Sequence, residues 1–174
     1  MTSNLSKQKY KTFHELSLSI VSLTLSPQQL CDLELIMNGA FHPLKTFLNQ
    51  TDYNSVLDNM RLSDSTIWPM PIMLDVSNAF IDDNKISIND QIALRDQEGF
   101  LLAIMKITDV WNIDKHRESN LIYGTDNIEH PGVHYLIKHT KDAYITGTLM
   151  EINEPKHYDF ESIRLSPDDV KSKL

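Results

Sequence analysis

Cysteine and long apolar runs are scarce in this chain of 174 residues. The single cysteine, Cys31, cannot form a disulfide within the chain, which favours a reducing compartment. No window approaches the ~20 apolar residues that cross a bilayer. The first 20 residues are polar and lack the apolar stretch of a signal peptide. These absences together predict a cytoplasmic protein without a membrane segment.

Glycine is equally sparse, and its spacing excludes the common phosphate-binding loops. Such loops need closely spaced glycines because the backbone must approach the anion. No two glycines of this chain have the GxGxxG or GxxxxGK arrangement. A self-contained ATP site of either type is therefore excluded. The five glycines are Gly39, Gly99, Gly124, Gly132 and Gly147.

Basic residues are outnumbered by acidic ones. The chain has 16 Lys and Arg against 24 Asp and Glu, a formal net charge of −8, and its basic residues are scattered. Surfaces that bind nucleic acid need clustered Lys and Arg to neutralise phosphates. The composition therefore disfavours nucleic-acid binding.

The usual catalytic and metal-binding patterns are absent. His130 and His134 are four residues apart, but Pro131 and Gly132 lie between them, and a preceding glutamate is in the wrong order for HExxH. No serine lies in a GxSxG turn, and Cys31 is expected to pack beside an apolar helical stripe. The sequence predicts no catalytic, cofactor-binding or metal-ligating residue.

Short helices and short strands alternate along the chain without a regular βαβ rhythm. Ser26-Pro27-Gln28-Gln29 predicts a helix that opens with a capping box and ends near Gly39. Thr51 is the expected cap of a second helix that runs to Met60. This pattern is typical of an α+β domain built on a small barrel. Further helices are predicted from Asp114 and from His130-Pro131, and strands at 91–95, 100–111 and 143–152.

Four segments carry a more specific signal. They are YGTDNIEHPGVHYL at 123–136, and residues 29–48, 60–76 and 155–164. Taken from the N-terminus to the C-terminus, the four segments resemble the N-terminal domain of the sulfate adenylyltransferase (ATP sulfurylase) family. The resemblance spans roughly residues 23–167. It implies a PUA-like pseudo-β-barrel of short mixed strands flanked by short helices.

The resemblance also implies a division of labour. In that family ATP and sulfate are held by a following domain with Gln-x-Arg-Asn-Pro-x-His-x-x-His and Gly-Arg-Asp-His motifs, and neither motif occurs here. The complete enzyme would convert Mg-ATP and sulfate to adenylyl sulfate and pyrophosphate in sulfate assimilation. This chain would be its non-catalytic scaffold, with the missing catalytic domain and other copies of the enzyme as partners.

The same comparison predicts the organisation of the chain. Residues 1–20 are expected to form a flexible tail, 21–165 the PUA-like domain, and 166–174 the start of a helix that leads toward the absent catalytic domain. His157, Tyr158, Asp159 and Phe160 are the predicted interdomain contact, with the two rings buried as a pair. A plain structural anchor is the alternative role for this segment.

Three glycines of the family pattern are replaced in this chain. Thr46, Ser65 and Thr146 stand where the family has glycine. If those glycines have φ > 0, each replacement costs about 1 kcal/mol unless the turn changes type.

Two other functions stay open. A free-standing PUA-like binding or regulatory module could have kept the fold and lost the chemistry. RNA binding, known for PUA-like folds elsewhere, is the third alternative, against which the acidic balance weighs.

Overall fold

The computed structural model describes residues 12–160 and 163–174, which cluster into two compact units. Of the described residues, unit 1 comprises 12–46, Gln91–Lys106, 148–160 and 163–174, and unit 2 comprises Phe47–Asp90 and Ile107–Gly147. The tail predicted at 1–20 falls partly outside the described residues. Within the predicted tail, residues 12–17 are helical (α1) and Ser17 is buried.

The remaining elements follow in chain order. The strands are β1 (Val21–Thr24), β2 (Leu74–Val76), β3 (Gln91–Arg95), β4 (Leu101–Asn112) and β5 (Ala143–Glu151). The helices are α2 (Pro27–Met37), α3 (Gln50–Asn59), α4 (Asn78–Asp83), α5 (Lys115–Tyr123), α6 (Pro131–Lys138) and α7 (Pro167–Lys173).

The five strands form one mixed sheet in the order β1-β3-β4-β5-β2. β1 runs parallel to β3, with Val21 opposite Ile92, and β3 is antiparallel to β4 with an irregularity at Leu94/Arg95. β2 is antiparallel to β5. Short helices around a mixed sheet confirm the predicted α+β class. No helix in the described part of the chain has the length and apolar character needed to span a membrane.

Unit 1 confirms the predicted start of α2. The side chain of Ser26 accepts a hydrogen bond from the backbone N–H of Gln29, whose own side chain accepts from the N–H of Ser26. Gly39, just beyond the helix, has φ +77°, the left-handed conformation expected there. Cys31 does not pack inward as predicted; it is exposed on α2.

The start of α3, in unit 2, corrects a second prediction. Its cap is Asn49, not Thr51, because the Oδ1 of Asn49 accepts from the backbone N–H of Asp52 at 2.8 Å. Both residue types cap helices, so local sequence does not choose between them. The helix ends at Asn59, and Met60 follows in the left-handed conformation.

Among the three replaced glycines, only Ser65 has a positive φ, of 75°. At Thr146 the side chain is buried, and its hydroxyl donates a hydrogen bond to the carbonyl oxygen of Phe47. The expected backbone cost therefore applies at Ser65 alone.

A buried carboxylate joins three elements of unit 2. Glu118, on α5, is 6% exposed, and its Oε2 accepts from the hydroxyl of Tyr53 on α3 at 2.9 Å and of Tyr144 on β5 at 3.0 Å. These two rings and that of Trp111 on β4 pack around it with centroids 5.5 to 5.8 Å apart. Side chains from two helices and two strands thus meet at one acid.

Burial raises the pKa of Glu118, and the hydrogen bonds from Tyr53 and Tyr144 and the charge of Lys115 only partly offset that effect. Burial, together with the nearby carboxylate, also raises the pKa of both tyrosines, so their hydroxyls stay protonated donors at neutral pH. Asp75 adds a further negative charge that opposes ionisation of Glu118.

Glu118→Gln tests this arrangement through the pH dependence of stability. Between the unfolded glutamate pKa of about 4.3 and the raised folded value, the folded state binds more protons than the unfolded state. The free energy of unfolding of the wild type should therefore fall as pH rises through that window, by about 1.4 kcal/mol for each pH unit that separates the two pKa values. Glu118→Gln lacks this titration, so its stability relative to wild type should increase with pH.

Urea unfolding at closely spaced pH values measures the difference. Glu129→Gln, at an exposed position of the same unit, is the matched control and should follow the wild-type curve. A difference between Glu118→Gln and wild type that stays constant with pH would contradict the assignment.

Candidate functional site

The predicted contact segment lies along unit 1 and is held by one half-buried pair. Nε2 of His157 lies 2.7 Å from Oε1 of Glu34 on α2, with side-chain exposures of 29% and 23%. A hydrogen bond to a carboxylate is stronger than one between two neutral groups. It anchors the segment to α2.

The next residues turn their apolar side chains to solvent. Tyr158 is 73% and Phe160 75% exposed, and Ile163 and Leu165 are exposed as well. We call these four residues the C-terminal strip. The prediction that the two rings are buried as a pair is not met by this chain, and Asp159 is exposed beside them. Four large apolar side chains within eight residues are unusual for a solvated surface, where such residues are scattered singly.

A cleft of about 200 Å³ lies next to His157, entirely within unit 1. The first turn of α2, the connection between β3 and β4, and the chain at 155–158 contribute its walls. We call it the hairpin cleft. It shares Tyr158 with the C-terminal strip.

Three histidines of unit 2 pack against neighbouring aromatic rings. His130 is the N-cap of α6, as predicted, although its side chain makes no capping hydrogen bond, and its ring packs on that of Tyr123. The rings of His134 and His139 are 5.7 Å apart. Within residues 12–160 and 163–174, no three potential metal-ligating side chains converge.

The segment at 123–136 has a packing explanation. A Cβ added at Gly132 would lie 2.6 Å from two ring carbons of Tyr123, so glycine is the residue that allows the ring to rest on the start of α6. Gly124 ends α5 with φ +69°, and Val133 and Leu136 are buried below. This signature therefore describes the connection between α5 and α6.

The matching family model is that of a PUA-like domain, and it covers residues 2–154. The chain belongs to the PUA-like domain family. This confirms the fold that the resemblance implied.

Curated relatives point to one enzyme name. A sulfate adenylyltransferase of Mycosarcoma maydis is 44% identical over 154 residues, which are 88% of this chain and 27% of the relative. A sulfate adenylyltransferase of Neosartorya fischeri is 44% identical over 86% of this chain and 26% of its own length. The chain thus spans only 27% and 26% of these two proteins.

A solved structure has the same fold. The hexameric APS kinase from Thiobacillus denitrificans superposes with a TM-score of 0.71 and is 28% identical. The match covers 95% of this chain and 28% of that chain.

Gly132→Ala should destabilise the protein by about 1 to 3 kcal/mol, the usual cost of forcing extra volume into a packed site. The added methyl group meets the Tyr123 ring. In a Tyr123→Ala background the same change should cost much less, which a double-mutant cycle of urea midpoints would measure. Equal costs in both backgrounds would show that the ring is not the obstacle.

His157→Ala should release the segment from α2. Trypsin cleaves after Lys156, next to the anchor, so cleavage there should accelerate about fivefold if the pair contributes about 1 kcal/mol. Glu34→Gln should have a similar effect, and combining the two should add little. His139→Ala, at an exposed histidine of unit 2, serves as the control, and unchanged cleavage in His157→Ala would refute the anchor.

Proposed function

We propose that this chain is the N-terminal, non-catalytic domain of a sulfate adenylyltransferase. The observation that carries the proposal is the 44% identity over 88% of this chain to a protein of that name, confined to 27% of that protein. A similarity so high and so restricted is what a shared domain of a larger enzyme produces. The remaining region of such an enzyme would supply the reaction chemistry.

The names of the related proteins support this assignment. Sulfate adenylyltransferase and APS kinase are different activities, yet this domain matches part of proteins with both names. A domain common to two activities supports the view that it scaffolds and does not perform the chemistry.

In the complete enzyme, sulfate would attack the α-phosphate of ATP and release pyrophosphate, with Mg²⁺ bound to the nucleotide. The described residues hold no three converging metal ligands, so the proposal assigns no residue of this chain to Mg²⁺. We also propose a cytoplasmic enzyme that assembles from several copies, by analogy with the hexameric name of the structural relative.

The proposal gives the C-terminal strip and its anchor a role as interdomain contact. His157 anchors the chain to α2, and Tyr158 and Phe160 present their rings to solvent immediately afterwards. Burying a large apolar side chain stabilises by about 1.5 to 3 kcal/mol, so two such rings could contribute substantially to docking of a following domain. Asp159, exposed between them, would lie at the edge of this contact.

A domain exchange tests the proposal. This chain would replace the matching residues of the Mycosarcoma maydis relative, and pyrophosphate release from ATP would be measured with and without sulfate. We expect sulfate-dependent release by the chimera and none by the 174-residue chain alone. Turnover by the chain alone, or an inactive chimera that is folded, would refute the proposal.

Tyr158→Ser combined with Phe160→Ser tests the contact itself. Because both rings are exposed in this chain, its melting temperature should not change, whereas the chimera should lose thermal stability and activity. Leu18→Ser and Ile67→Ser, at positions 71% and 68% exposed, are matched controls and should leave the chimera unaffected. Equal effects of the double substitution on both proteins would contradict an interdomain role.

A free-standing binding module is the second candidate, and the hairpin cleft is the observation in its favour. It is a concave site with apolar walls that no residue of the described chain fills.

A further inference from the structure

The hairpin cleft has an apolar interior. Its walls include Pro27 and Leu30 from α2, Phe100 immediately before β4, and Pro155 and Tyr158 near the C-terminus. At about 200 Å³ it is smaller than the ~300 Å³ of a typical small-ligand pocket. Its size suits one large side chain of a partner protein, the type of socket that holds binding hot spots.

The connection between β3 and β4 is held rigidly at the cleft. Oδ1 of Asp96 accepts from the backbone N–H groups of Glu98 and Phe100, at 3.0 and 2.8 Å. The guanidinium of Arg95 donates to the carbonyl oxygen of Gly99 at 3.0 Å and also to Ser17. The wall is therefore formed before any partner arrives, which lowers the entropy cost of binding.

Two acids line the cleft without an ion pair among the described residues. Asp96 and Glu98 line it, and no ion pair joins either carboxylate to Lys156 in the described part of the chain. Lys156 instead holds its Nζ 5.7 Å from the centre of the Phe100 ring. This contact shows that the ring already attracts a cation.

We propose that the hairpin cleft binds an arginine side chain presented by a partner protein. Arginine combines a planar cation that stacks on aromatic rings with donors that pair with carboxylates. Phe100 provides the ring, and Glu98, with the second oxygen of Asp96, provides the acceptors. This site does not depend on the proposed enzymatic role.

Two alternatives fit the cleft less well. A neutral aromatic side chain would fill the apolar interior but would leave both carboxylates without a counter-charge. A lysine would offer a point charge without a planar face, and Lys156 already occupies that position over Phe100.

Capped tripeptides provide the test with the full chain. The probe is acetyl-Gly-Arg-Gly-amide, and its neutral isostere with citrulline is the control. Backbone amide signals of residues 96–100 would be followed by NMR during titration into the millimolar range. We expect saturable shifts confined to the cleft with the arginine peptide and none with the citrulline peptide.

Substitutions at the cleft should change the affinity for the arginine peptide in opposite directions. Glu98→Gln should weaken binding about tenfold, the loss expected when a charge-assisted hydrogen bond becomes neutral. Phe100→Leu should also weaken it. Lys156→Gln should strengthen binding, because it removes the competing cation. Glu129→Gln, an exposed acid outside unit 1, should leave the affinity unchanged.

The proposal would be overturned by equal shifts with citrulline or by Glu98→Gln binding as wild type does. Free arginine binding more tightly than the capped peptide would also overturn it, since that would indicate a small-molecule site. A failure of the domain exchange would leave these titrations unaffected, so the two proposals are tested separately.

Discussion

The buried carboxyl group of Glu118 is the feature on which the packing of unit 2 depends. Desolvating Glu118 costs free energy, and the hydroxyls of Tyr53 and Tyr144 recover only part of it. The indole N–H of Trp111 is buried without a partner among the described residues, which adds to the cost. The packing of three large rings must outweigh both. Such a cluster tolerates little rearrangement, so it also specifies how the two helices and two strands meet.

Local signals in the sequence predicted local structure well. The capping box at Ser26, the cap at Asp114 and the Pro131 helix start are all written within a few consecutive residues, and each is present. The Glu118 cluster could not be predicted, because its acid and its tyrosines lie 65 and 26 positions apart. The residues next to each of them in the sequence give no indication that the three side chains are in contact. The false cap at Thr51 has a related cause, since two capping residues in one stretch compete and tertiary context decides.

The predicted interdomain contact at 157–160 shows what an alternating pattern of apolar residues cannot predict. Tyr158 and Phe160 have the spacing of a strand with one buried face, and the sequence interpretation therefore turned them inward. In the structure only His157 is held, by Glu34 more than a hundred positions earlier, while the rings stay exposed. Alternation reports which side chains share a face. Whether that face meets this chain, a partner or water depends on surfaces that the pattern does not describe.

The buried polar cluster lies in unit 2, whereas both proposed contact surfaces lie in unit 1. In unit 2, Glu118 accepts hydrogen bonds from two buried tyrosines, and Arg117 forms an ion pair with Asp58. In unit 1, the rings of the C-terminal strip and the carboxylate of Glu98 remain exposed. Exposed apolar groups gain free energy when a complementary surface covers them, and a solvated charge gains when the partner supplies the opposite charge. Both proposed contacts therefore lie in unit 1, whereas substitutions in the Glu118 cluster of unit 2 should act mainly on folding.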